Sequence, residues 1–273
     1  MIFSEDIFVP ILCPIQFIEP RETFFYRKQK YLGKIISDIY FQIFISNNLF
    51  NAGDITLRVN NARTRKTIRT ITGTKVVLLT DEFFYVEFNV EKGLNTEYVY
   101  FELVIEEVVI ADSISYEINP LYDKNLKILS YSHFENDYNS VFTTDGSTFK
   151  IFKIAVECGF IPNDFKSITT REDNEQQDMM NNVIDARPSV IEPITFGAGL
   201  GIPNWLAHKI NCIFLLSDLH IEEEVIVRAA GAELELSERT HNGLGIYKLD
   251  IQSYEKNYLP YRIWNHILPN TFN

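Results

Sequence analysis

Residues 84–91 read Phe-Tyr-Val-Glu-Phe-Asn-Val-Glu, so Phe84, Val86, Phe88 and Val90 alternate strictly with Tyr85, Glu87, Asn89 and Glu91. A helix would scatter these residues around its axis, whereas a strand puts the first four on one dry face and the others on a wet one. The pattern recurs. Ile39, Phe41, Ile43 and Ile45 alternate with Tyr40, Gln42 and Phe44, and Val99, Phe101, Leu103 and Ile105 lie opposite Glu102. Gly93, in the short link between the last two runs in chain order, predicts a hairpin joining them. Leu57–Val59 and Ile68–Val77 add further strands, punctuated by Asn60-Asn61 and Thr72-Gly73. Closely spaced strands with no helical pattern between them predict an antiparallel β-sandwich or barrel over residues 1–145, ending near Asp145-Gly146.

The second half, 146–273, predicts a smaller β-rich domain with one α-helix. Phe149–Val156 is an apolar run, and the polar stretch Thr169–Asp178 is too hydrophilic for a core and predicts a loop. Leu206, Ile210, Ile213 and Phe214 then recur at helical spacing behind Pro203, which predicts a helix near 203–217 packed on the sheet that follows. Val225–Val227, Glu233–Leu236 and Tyr247–Ile251 return to the two-residue period, with a turn at Asn242-Gly243. The whole chain is therefore expected to be mainly β. With 21 Phe and 14 Tyr against 3 Met, its composition suits half-buried pleated surfaces.

Chemistry-bearing patterns are thin. Cys13, Cys158 and Cys212 are far apart and form no CxxC, so buried thiols in a reducing compartment are expected rather than a zinc or redox site. Gly197, Gly199 and Gly201 precede the helix, but Ile202 stands where a dinucleotide fingerprint needs its third glycine, so a tight loop is the reading. His220-Ile221-Glu222-Glu223-Glu224 is no HExxH motif and predicts a solvated acidic strand edge with His220, Glu222 and Glu224 on one face. There is no G-x-S-x-G serine elbow. No enzyme, cofactor or metal is expected. The first basic residue is Arg21, which argues against a secretory leader, and no run approaches the ~20 apolar residues of a membrane span.

Charge is the informative feature. The net charge is −12, yet residues 1–80 carry +5 and the remainder −17. Between Ile55 and Thr80 stand Arg58, Arg63, Arg65, Lys66, Arg69 and Lys75 without one acidic residue, and Arg27, Lys28, Lys30 and Lys34 lie upstream. If that segment is one strand, Arg63, Arg65 and Arg69 share a face. Residues 81–120 carry ten carboxylates, Glu87, Glu91, Glu97 and Glu102 among them, against Lys92 alone. A positive patch beside a negative one suits head-to-tail association of identical subunits, which closes into rings. Contact with DNA phosphates is the competing reading of the basic cluster, opposed by the acidity of the whole chain.

Three segments carry a family resemblance: Leu129-Ser130-Tyr131-Ser132-His133-Phe134-Glu135-Asn136-Asp137-Tyr138, Glu157-Cys158-Gly159-Phe160-Ile161-Pro162, and Gly201-Ile202-Pro203-Asn204-Trp205-Leu206-Ala207-His208-Lys209-Ile210-Asn211. Over about residues 125–265, in spacing as much as in identity, the chain resembles structural proteins of bacteriophages that infect Bacteroidetes, crAss-like phages in particular. The resemblance implies a virion component of the neck or tail, made in the host cytoplasm and present as a ring of copies that contacts neighbouring neck and tail proteins. The alternative is a tail-associated receptor- or carbohydrate-binding module, in which Tyr85, Tyr98 and Tyr100 stack on sugar rings.

Overall fold

The computed structural model describes residues 2–4, 6–18, 31–51, 53–78, 83–91, 93–94, 97–118, 126–132, 151–160, 166–175, 181–197, 199–216, 219–222, 224–240 and 243–253. The protein is mainly β. Its strands in chain order are β1 (Ile2–Ser4), β2 (Ile7–Phe8), β3 (Phe17–Ile18), β4 (Gly33–Ile35), β5 (Ile39–Ile45), β6 (Ile55–Asn61), β7 (Thr67–Thr72), β8 (Thr74–Leu78), β9 (Phe83–Val90) and β10 (Tyr98–Ile105). They continue with β11 (Val108–Ser113), β12 (Tyr116–Ile118), β13 (Leu126–Tyr131), β14 (Phe152–Phe160), β15 (Lys166–Glu175), β16 (Asn181–Phe196), β17 (Leu219–Ile221), β18 (Glu224–Arg228), β19 (Glu235–Arg239) and β20 (Gly245–Ser253). Two helices, α1 (Asn47–Asn51) and α2 (Asn204–Ile213), interrupt them among the described residues.

The first unit is a sandwich. One sheet runs β1-β2-β5-β9-β8; the facing one is built on β10, which pairs with β6 along one side and with β11 and β12 along the other. The alternating residues meet between them: Phe41, Ile43, Val86 and Phe88 from one sheet and Leu57, Val59, Phe101 and Leu103 from the other are all buried in one cluster. The hairpin expected at Gly93 does not form. β9 and β10 lie in opposite sheets, so their link crosses the sandwich instead of turning back within one sheet. Gly73 marks a second crossing, where β7 leaves one sheet and β8 enters the other. A side chain there would put its Cβ 2.1 Å from Val86.

The second unit is a closed barrel. β13 pairs with β14, β14 with β16, β16 with β20, β20 with β18, β18 with β17, and β17 again with β13, all antiparallel. Leu129, Phe152, Val156, Ile194, Ile226 and Leu249 fill it, and helix α2 contributes Leu206, Ile210 and Ile213 to the same cluster, followed by Phe214. All four residues of the expected helical stripe are buried. Pro203 sits one residue earlier than expected, at the N-cap, and Phe214 is the C-cap. Gly197 and Gly201 both have positive φ in the tight loop ahead of the helix, as the sequence suggested.

Two expectations in this half are corrected. The stretch expected as a polar loop is largely strand β15, and His220 and Glu224 flank a hairpin turn rather than sharing one strand face, because Glu222 turns the chain at φ 59°. β15 pairs over its full length with β16, from Lys166 opposite Ile191 to Glu175 opposite Asn181. Only Ile191–Phe196 of β16 also pair with β20. Residues 166–175 and 181–190 thus form a two-stranded arm in which the two strands pair with each other, β15 having no second ladder partner among the described residues. At about 3.3 Å per residue the paired stretch is roughly 30 Å long.

β4 joins the units, pairing in parallel with β12 of the sandwich and through Lys34 with Ala155 of the barrel. Among the described residues, Leu129 and Tyr131 belong to the barrel core, and Leu12 joins that core from the N-terminal segment. The expected boundary near Asp145-Gly146 lies outside the described residues.

Candidate protein interface

The basic cluster occupies the β6–β7 hairpin at one margin of the sandwich. Asn61 shapes its tip: its side-chain Oδ1 accepts the backbone N–H groups of Arg63 and Thr64 at 2.9 Å each. Its backbone carbonyl accepts the N–H of Arg65 at 2.8 Å, and Arg65 takes φ 56°, a region that asparagine-led turns commonly use. Arg63 and Arg65 therefore lie in a turn and not on one strand face with Arg69. Every residue from Arg63 to Thr70 is exposed. β7 pairs with β6 alone among the described residues, which leaves its outer edge open.

The acidic residues come to the same margin. Arg63 is 3.1 Å from Glu97 and its guanidinium lies 4.6 Å over the Tyr98 ring. Arg69 is 2.9 Å from Glu91, and Arg58 stands opposite Glu102 in the β6–β10 register. Two of the four acidic candidates, Glu97 and Glu91, thus pair with basic ones within the chain, and a third, Glu102, lies opposite Arg58 in register. The two remaining inland candidates are structural. Lys75 donates to the carbonyls of Phe50 at 2.6 Å and Gly53 at 3.2 Å, satisfying the C-terminal end of α1, where a cation is favoured. Glu87 accepts hydrogen bonds from the Tyr40 hydroxyl and the Gln42 amide, and burial first and this carboxylate second push the Tyr40 pKa upward. Arg65 and Lys66, at the tip, make no ion pair among the described residues. Arg27, Lys28, Lys30 and Lys92 lie outside those residues.

The tyrosine platform for sugars is not assembled. Tyr85 is buried against Phe44, Tyr98 lies under Arg63, and the Tyr100 hydroxyl donates to Glu102. The alternation that put Tyr85 on the wet face is correct as geometry, but Phe44 on the neighbouring strand covers that side of the sheet.

A second group of polar residues, at the junction of the units, escaped the sequence reading. The segment following β2 runs between sandwich and barrel, and the barrel grips it by its carbonyls. The Tyr131 hydroxyl donates to the Leu12 carbonyl at 2.5 Å, and Lys209 Nζ donates to the Cys13 carbonyl at 2.7 Å. On the sandwich side the Tyr116 hydroxyl accepts the backbone N–H of Gln16 at 2.7 Å. Lys209 is buried beside Trp205, and that burial lowers its pKa from 10.5 to about 8. The small cavity alongside, about 30 Å³ and lined by Tyr31, Lys34, Tyr116, Lys153, Trp205 and Lys209, is large enough to hold water. Lys209 falls on the apolar stripe of α2 between Leu206 and Ile213. A lone cation at that position was the signal available in the sequence. Cys13 and Cys158 are buried free thiols, pushed up by that burial to about 11 and about 12 respectively, and Cys212 is half-buried.

Compared with known proteins, the chain matches no family model, no curated protein and no solved structure. No helix among the described residues is long and apolar enough to cross a membrane.

Proposed function

We propose that this chain is a structural subunit of a bacteriophage neck or tail ring, working by assembly with copies of itself and with neighbouring virion proteins. The observation that carries the assembly reading is the β15–β16 arm. A two-stranded ribbon on its own is marginally stable in water, and among the described residues this one leaves a long open strand edge beyond a closed barrel. A segment built in that way gains its full stability when another chain covers it. The resemblance of residues 125–265 to virion proteins supplies the setting.

The basic hairpin supports a protein partner over DNA. Arg63 and Arg69 already face carboxylates, which would have to be displaced before either cation could neutralise a phosphate. The pinned junction fits the same role, since a ring subunit transmits load between its two units without hinging.

The test is the mass and symmetry of the purified chain, together with its location in imaged particles. A closed oligomer of fixed multiplicity, found at the neck or tail, is the expected result. A monomer at all concentrations, with no copies in the particle, would overturn the reading.

A further inference from the structure

Among the open strand edges of the described residues are β7 and the acidic distal half of β15, and these two lie in different units of the fold. β7 is an open edge of the sandwich; Arg65 and Lys66, which make no ion pair among the described residues, stand in the turn that leads into it, while Arg69 on the strand already faces Glu91. β15 is an open edge of the arm; its ten residues hold three acidic residues and two basic, with all three acidic ones in the last five, Arg171-Glu172-Asp173-Asn174-Glu175. We infer that the arm of one copy adds β15 to the β7 edge of the next copy, so that one sheet continues from subunit to subunit. This deepens the proposed function and rests on it.

Three observations support the pairing. First, both strands have one ladder partner and one open side among the described residues, and open N–H and C=O rows are what strand addition uses. Second, the lengths are compatible. The ten residues of β15 span the six of β7 with a margin, which lets the arm approach from a distance. Third, the charges select the partner. Arginine and lysine at an open edge discourage pairing with another basic or apolar strand and favour an acidic one, so a β7–β7 contact is disfavoured while β15–β7 is not. The contact uses different surfaces on the two partners, so it is heterologous, and its repetition gives a ring when the rotation closes.

Charge reversal at each edge, separately and together, tests this. In low salt, wild-type chain is expected to run as the oligomer. Arg65→Glu/Lys66→Glu/Arg69→Glu and Glu172→Lys/Asp173→Lys/Glu175→Lys are each expected to run as monomers with unchanged far-UV circular dichroism. The chain carrying both sets is expected to recover the oligomer, because the complementarity is restored with its sign exchanged. Should a reversed arm fail to fold, the neutral set Glu172→Gln/Asp173→Asn/Glu175→Gln reads the same contrast, with assembly weakened at least tenfold. A wild-type oligomer that survives either reversal, or a folded double-site chain that stays monomeric, overturns the β15–β7 pairing and leaves the assembly reading standing. A wild-type chain that is monomeric throughout overturns both.

Discussion

In the barrel every strand of the closed circuit has two neighbours; in the sandwich β7 and β8 each have one among the described residues. Both units are built from similar alternating strands, so the difference lies in closure and not in strand chemistry. Closing a sheet removes its edges, and an open edge must be charged, covered or paired. The sandwich keeps its β7 edge open and basic. The barrel closes, then extends β16 beyond the circuit and thereby creates a new edge on β15, whose last four residues, Glu172–Glu175, hold three carboxylates. An isolated folding unit gains nothing from rebuilding an edge that closure has just removed. A subunit that must grip its neighbour does.

The comparison breaks most visibly at the barrel core. If the barrel is a closed shell whose filling includes α2, shortening a helix residue at its centre should be costly. Ile210 is fully buried in that cluster. Ile210→Ala is expected to destabilise the chain by ~2–5 kcal/mol in denaturant unfolding, the range for buried large-to-alanine changes that leave a cavity. A near-neutral result would mean that the helix face meets a partner and that the barrel is filled without it.

That helix was legible because its stripe has a period, as were β5, β9 and β10, each of which has one dry face. Alternation reports which face of a strand is dry and is silent about which strand lies beside it. This is why β9 and β10 read as a hairpin although they belong to opposite sheets. The arm was illegible for a related reason: a ribbon outside the core has no burial to satisfy, so Thr169–Glu175 carries no apolar period and reads as a loop. The basic and acidic candidates were found, but the register that sets Arg58 opposite Glu102 depends on a long-range pairing that charge counting does not reveal.

A smaller effect sharpens the comparison where the two units meet. Lys209 belongs to the barrel helix and holds a carbonyl of the connecting segment. Its folded pKa, about 8, lies below the ordinary 10.5. Between those values the unfolded chain binds the extra proton, so stability rises with pH across the window. From pH 8 to pH 9 the wild type should gain about 1 kcal/mol relative to Lys209→Met. Cys13, with its thiol raised by burial to about 11, acts in the opposite direction from about pH 9 upward, so the comparison is confined to pH 8 to 9. Unfolding titrations at the two pH values check the difference. Parallel curves would show that the lysine is hydrated and that the junction is looser than its hydrogen bonds indicate.

The smallest expected effect is at the sandwich edge. Arg63 and Glu97 approach to 3.1 Å, but their side chains are 68% and 71% exposed, so solvent screens most of the attraction. Arg63→Ala should change the stability of the monomer by less than about 1 kcal/mol, and a double-mutant cycle with Glu97→Ala should give a coupling in the same range, falling further in molar salt. The stacking on Tyr98 adds little at so exposed a site. The hairpin tip does not need this side chain, because the Asn61 carboxamide and carbonyl hold the turn through backbone N–H groups. The charge at this edge is therefore expected to be nearly silent for folding, in contrast to the barrel core, where one buried isoleucine is not. A loss of about 2 kcal/mol or more at Arg63, roughly twice the upper range for exposed pairs, would make the basic tip a structural element of the sandwich rather than a surface held ready for another chain.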